Sequence, residues 1–148
     1  MRVVVQKCLE SSVTVDDILI NKIGRGLSLL VGFTEGDTLS DIDYMVKKIT
    51  NLRICEDEND IMNLSILDID GPKEILSISQ FTLYADTKKG NRPSYINALK
   101  GEEAIKLYEL FNQKLNEIIP TKAGVFGADM KIMTINDGPT TIILDSKK

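Results

Sequence analysis

At 148 residues, with 43% hydrophobic and 27% charged side chains, the chain has material for one hydrophobic core and a composition that excludes disordered, fibrous and membrane classes. Its formal charge of −4 counts against a broad nucleic-acid footprint, and the complete absence of histidine removes every Ser-His-Asp or Cys-His arrangement. The two cysteines, Cys8 and Cys55, have neither disulfide-framework nor zinc-site spacing, so no metal and no cofactor is expected and a reducing cytoplasm fits best.

Arg2 to Lys7 and Ser12 to Asp16 alternate apolar with polar residues, which predicts a pair of half-buried strands. No apolar stretch of about 7–15 residues follows a basic start and no run reaches the ~18–20 residues of a membrane span, so neither a secretory leader nor a membrane partner is expected. Leu27 to Phe33 reads as a buried strand ended by a turn. Leu39, Ile42, Val46, Ile49 and Leu52 recur at helical spacing behind a capping-box pair, Thr38 and Asp41, predicting a helix over 39–52. The acidic stretch Glu56 to Gly71 reads as exposed loops around Leu64 to Leu67, without chemistry.

Glu74 to Leu83 reads as a central strand, Leu76 and Ile78 on one face and Ile75, Phe81 and Leu83 on the other. A second helix over 102–119 carries Ala104, Leu107, Tyr108, Phe111, Leu115 and Ile118 on one stripe and is stopped by Pro120. Met130 to Ile135 and Thr140 to Leu144 read as two strands joined by Asn136-Asp-Gly-Pro139, a link so short that they should be antiparallel neighbours. The expected architecture is one α/β domain over 1–148, with a largely antiparallel or mixed sheet and two helices covering one sheet face.

Four segments could carry chemistry or binding. Ser79, Gln80, Phe81 and Thr82 end an apolar strand, where polar side chains need partners or a ligand; satisfying nearby backbone is the alternative use. Asn136-Asp-Gly-Pro139 suits an ordinary turn, yet a cis Gly138-Pro139 bond would aim carbonyl oxygens where a trans turn cannot. Gly124 to Met130 has glycines that permit close approach, with Phe126 and Met130 available either to an aromatic base or to the core. Lys88, Lys89 and Arg92 form a local basic cluster, either phosphate-binding or merely solvated.

Taken together, Ser79 to Ser94, Gly124 to Met130 and Asn136 to Thr141, with the start Met1 to Gln6 and Ile49 to Ile54, resemble the D-aminoacyl-tRNA deacylases over nearly the whole chain. The resemblance implies hydrolysis of the ester joining a D-amino acid to tRNA. It implies a cytoplasmic homodimer with an aminoacyl-tRNA substrate and no DNA partner. It also implies that Gly138 and Pro139 enter the partner subunit's pocket to exclude L-amino acids. Ser79, Gln80, Phe81 and Thr82 would line the pocket at the ester, and Phe126 and Met130 would lie near the terminal adenosine. The chain departs from the common pattern at Lys7-Cys8, where Arg-Val is usual, and at Thr140, where Val is usual.

The expected mechanism is attack by water on the ester, with backbone N–H groups near Phe81 and Thr82 stabilising the oxyanion and the ribose 2′-OH assisting proton transfer. Glycyl-tRNA, which offers a chiral filter no side chain, is an expected further substrate. Two rivals stand beside this reading: Ser79 or Thr82 as a covalent nucleophile, and a non-catalytic module that grips tRNA ends.

Overall fold

The computed structural model describes residues 1–148. In chain order its elements are strands β1 (Arg2–Val15), β2 (Ile18–Ile23) and β3 (Gly26–Gly32), helix α1 (Leu39–Asn51), strands β4 (Cys55–Glu56), β5 (Met62–Leu64) and β6 (Glu74–Ser79), a 3-10 turn (Phe81–Tyr84), helix α2 (Gly101–Asn116), and strands β7 (Thr121–Ala123) and β8 (Lys131–Asp145). β1 divides one edge between two antiparallel partners, Arg2 to Cys8 against β3 and Ser11 to Val15 against β2, and gives the other edge to β8. β6 lies parallel to β3, and β7 parallel to β6.

Side chains then draw β7 towards β2: Asn21 Nδ2 donates to the Ala123 carbonyl at 2.6 Å and Lys122 Nζ to the Lys22 carbonyl at 2.9 Å. The mixed sheet is therefore curled and nearly closed, which leaves few unpaired edges. α1 and α2 pack together and cover one face. Ile42, Met45 and Ile49 of α1 and Phe111 and Leu115 of α2 join Val3, Leu29 and Ile75 in the main core. Cys8, Val13, Ile23, Leu76 and Ile78 make a smaller cluster on the other face. The split of Ile75 from Leu76 and Ile78 follows the alternation read from sequence. The α/β class, the mixed sheet and both helices agree with expectation, and the capping box closes with Thr38 N–H donating to Asp41 Oδ2 at 2.8 Å.

Five local expectations are corrected. Arg2 to Val15 is one strand rather than a pair, because Asp16 and Asp17, at φ 49° and 63°, turn the chain into β2 instead. The strand from Glu74 ends at Ser79: Gln80 N–H still reaches the Val31 carbonyl at 2.7 Å, and the chain then coils as Leu83 N–H and Ala85 N–H bond back to Gln80 and Thr82. Ile118 is 48% exposed because α2 ends at Asn116 and Ile119 takes the buried position. The stretch from Glu56 is not all loop, since Met62 to Leu64 form β5 within it and pair with β4 at its start.

The fifth correction is at Asn136 to Pro139, which do not join two neighbouring strands. Asn136 pairs with Cys8 and Thr141 with Gln6, so β8 runs straight through, and the residues between bulge outward opposite Lys7. A bulge uses the same turn chemistry as a hairpin, including Gly138 at φ 122°, but keeps one partner strand on both sides.

Candidate active site

A cavity of ≈ 610 Å³ opens at the C-terminal ends of β3 and β6. Ser79, Gln80 and Phe81 form one wall, and Phe126 and Met130 form the other, so two sequence-predicted segments some fifty positions apart meet across it. Gly32 permits the close fit of the first wall: a Cβ there would lie 2.9 Å from the Gln80 carbonyl oxygen and 3.2 Å from Leu83 Cβ. Gly124 does the same for the second, since its Cβ would meet Met130 Sδ at 2.6 Å.

Thr82 is not among the lining residues; its hydroxyl accepts a hydrogen bond from Gln80 Nε2 at 2.5 Å. Phe81 is 56% exposed and meets the ring of Tyr95 edge-on, with centroids 5.0 Å apart. Phe33, Tyr95 and Leu99 also line the cavity and were missed as site residues, Phe33 because it reads only as the end of a buried strand, Tyr95 and Leu99 because isolated apolar residues in a long connection carry no periodic signal. Lys88, Lys89 and Arg92 are exposed on a loop closed at its base by paired backbone bonds between Asp86 and Ser94. They stand outside the cavity, but the chain leaving their loop enters it directly at Tyr95.

Arg2 was also missed as a site-building residue. Its guanidinium pairs with Asp145 at 2.9 Å, donates to the Leu83 carbonyl at 2.7 Å and stacks over the Tyr84 ring at 4.6 Å, fastening the 3-10 turn to the sheet. Charge-assisted bonds of this kind are among the stronger ones in proteins.

Gly138 and Pro139 are exposed, joined by a cis peptide bond, and absent from the cavity of their own chain. Beneath them the buried Lys7 ammonium reaches Glu56 at 2.8 Å and Asp137 at 4.0 Å. The hydrogen bond from Lys7 holds the Glu56 carboxyl below its ordinary range, so the acidic stretch contributes an ion pair beside the bulge. Burial pushes the Cys8 thiol up to about 11 and raises Cys55 as well, which keeps both protonated and unreactive near neutral pH. No helix is long and apolar enough to cross a membrane.

Residues 4–145 match the family model described as D-Tyr-tRNA(Tyr) deacylase. Among solved structures, one described as "c-Myc DNA Unwinding Element Binding Protein" is 40% identical, with 98% of each chain covered and a TM-score of 0.91. Another, described as "Structural Analysis of a probable eukaryotic D-amino acid tRNA deacylase", is 16% identical, with 97% of each chain covered and a TM-score of 0.81, a likeness of fold. With its fold, and with a match running almost from end to end, the chain belongs to the D-Tyr-tRNA(Tyr) deacylase family, hydrolases of D-aminoacyl-tRNA.

Proposed function

We propose that the cavity receives the aminoacylated 3′ end of tRNA and hydrolyses its ester by positioning water, with Gly138 and Pro139 of a partner subunit rejecting L-amino acids. The carrying observation is the placement of the two motifs: Ser79 to Phe81 and Phe126 to Met130 face each other across the cavity, whereas Gly138 and Pro139 point into solvent on a different strand. Gly138 and Pro139 do not line the cavity of their own chain, so in this reading they serve the cavity of another copy. The outer face of β8 supports that arrangement, since Met133, Ile135 and Ile143 on either side of the bulge are 63%, 49% and 69% exposed.

In this reading Phe126 and Met130 take the terminal adenosine, and Lys88, Lys89 and Arg92 meet phosphates of the acceptor end while the body of the protein stays acidic. The formal charge of −4 disfavours an extended duplex such as DNA, whose binding draws on a broad basic face. The location would be cytoplasmic, in keeping with two buried thiols.

Backbone N–H groups at Phe81 and Thr82 begin a short helical turn, where such groups have no partner within the turn, and would stabilise the oxyanion. Ser79 and Gln80 would then hold the ester carbonyl in place. Thr82 positions the turn rather than attacking: its hydroxyl is engaged by an amide, and no histidine exists to deprotonate it. Thr82→Ala should therefore keep kcat for D-tyrosyl-tRNA within about tenfold of the parent in single-turnover assays. Near-total loss, together with an acyl-enzyme trapped in mass spectra of the parent, would assign Thr82 as a nucleophile instead. Glycyl-tRNA should also be cleaved, because glycine presents no side chain to the chiral filter.

A further inference from the structure

The two walls of the cavity belong to separate segments, and one buried atom ties them together. Tyr108 of α2 is 3% exposed, and its hydroxyl donates to the Ser77 carbonyl at 2.6 Å. The same oxygen accepts from Gly124 N–H at 3.1 Å, so both of its lone pairs are engaged. Ser77 precedes Ser79 on the first wall by two residues, and Gly124 precedes Phe126 on the second by two. The Tyr108 ring also packs against Phe126, with centroids 5.7 Å apart.

From this geometry we propose that Tyr108 is a positioning residue that sets the spacing of the two cavity walls through the Ser77 carbonyl. The inference deepens the proposed active site and rests on that reading only for its catalytic consequence. A purely packing role would need the ring alone, since the neighbouring core positions Phe111 and Leu115 are wholly apolar and a buried hydroxyl is costly without a partner. The Gly124 side is closely packed, with Met130 Sδ and Ile78 Cδ1 2.6 Å and 3.1 Å from where a Cβ would be, and the Gly124 N–H bond to the Ser77 carbonyl couples the two segments directly. Any shift of Ser77 is therefore passed on to Gly124, and from there to Phe126 and Met130.

The test is Tyr108→Phe, which keeps the ring and its packing. In NMR spectra the Ser79 and Gln80 amides and the Met130 methyl group should shift together, and the Gly124 amide should exchange about tenfold faster. With D-tyrosyl-tRNA, kcat should fall about tenfold while KM stays within about twofold, because misplacement affects the reacting atoms more than substrate capture. Shifts confined to Ser77 and its immediate neighbours, or an unchanged kcat in a variant that is less heat-stable, would overturn the proposal by showing a packing role only. A parent protein inert towards D-tyrosyl-tRNA, but with coupled shifts in the variant, would leave the wall coupling standing and overturn the catalytic reading instead.

Discussion

Gly138→Ala is expected to lower the deacylation rate of D-tyrosyl-tRNA by about a hundredfold while leaving the subunit folded. Gly138 sits at φ 122°, where an L side chain is strained, and an added Cβ would approach Thr140 Oγ1 to 2.8 Å and Thr140 N to 3.1 Å. The bulge must shift to relieve this. Because it is exposed and lies outside the β1–β8 ladder, the shift costs the fold little, but if the loop reads substrate as proposed, a displacement near 1 Å is worth about two orders of magnitude in rate. Mixing supplies the second half of the prediction. Gly138→Ala combined with Phe81→Asp, which places a carboxylate at the cavity mouth, should regain activity when the subunits exchange, because about a quarter of the sites then unite an intact pocket with an intact partner loop. Activity that fails to return would place the loop's role within its own chain.

Gly26→Ala should have the largest effect on stability. Gly26 begins β3 between Cys8 of β1 and Glu74 of β6, and a Cβ built on it would lie 1.7 Å from the Glu74 carbonyl oxygen. That atom is backbone, held in the parallel ladder, so no side-chain rotation can relieve the overlap. The strands must separate, at a cost of about 3 kcal/mol or more. At roughly 2–4 °C per kcal/mol for a chain of this size, the melting temperature should drop by about 6–12 °C. Ser79 lies at the far end of the same ladder, opposite Val31, so the folded fraction should retain its rate. A loss of rate without a loss of stability would contradict this separation of frame from site.

The elements legible in the sequence were those whose patterning repeats over several turns or alternations. α1 announced itself through Thr38, Asp41 and a run of apolar residues at helical spacing, and the central strand through Ile75, Leu76 and Ile78. The short strands β4, β5 and β7 were not legible, because two or three residues contain no period. The bulge at Asn136 to Pro139 was misread because Asp-Gly-Pro supplies the same backbone conformations to a hairpin and to a bulge; only the pairing of Thr141 with Gln6 and of Asn136 with Cys8 distinguishes them.

The candidate site divides in the same way. Ser79, Gln80 and Phe81 stood out as polar and aromatic breaks in an apolar strand, and Phe126 and Met130 as large side chains between glycines. Tyr95 and Arg2 did not, since their roles depend on contacts with Phe81 and with Leu83 and Asp145 that only the folded chain creates. Lys7, noted only as a departure from a family pattern, acquires meaning from Glu56, a residue in a stretch that had been read as inert loop.

The most direct test of the account is the hydrolysis of matched D- and L-tyrosyl-tRNA by the purified protein, followed beside a no-enzyme control. The account predicts rapid loss of the D ester and an L ester that decays only at its spontaneous rate. Equal hydrolysis of both would contradict the proposed chiral role of Gly138 and Pro139, and tRNA binding without cleavage of either ester would contradict the proposed chemistry of the cavity.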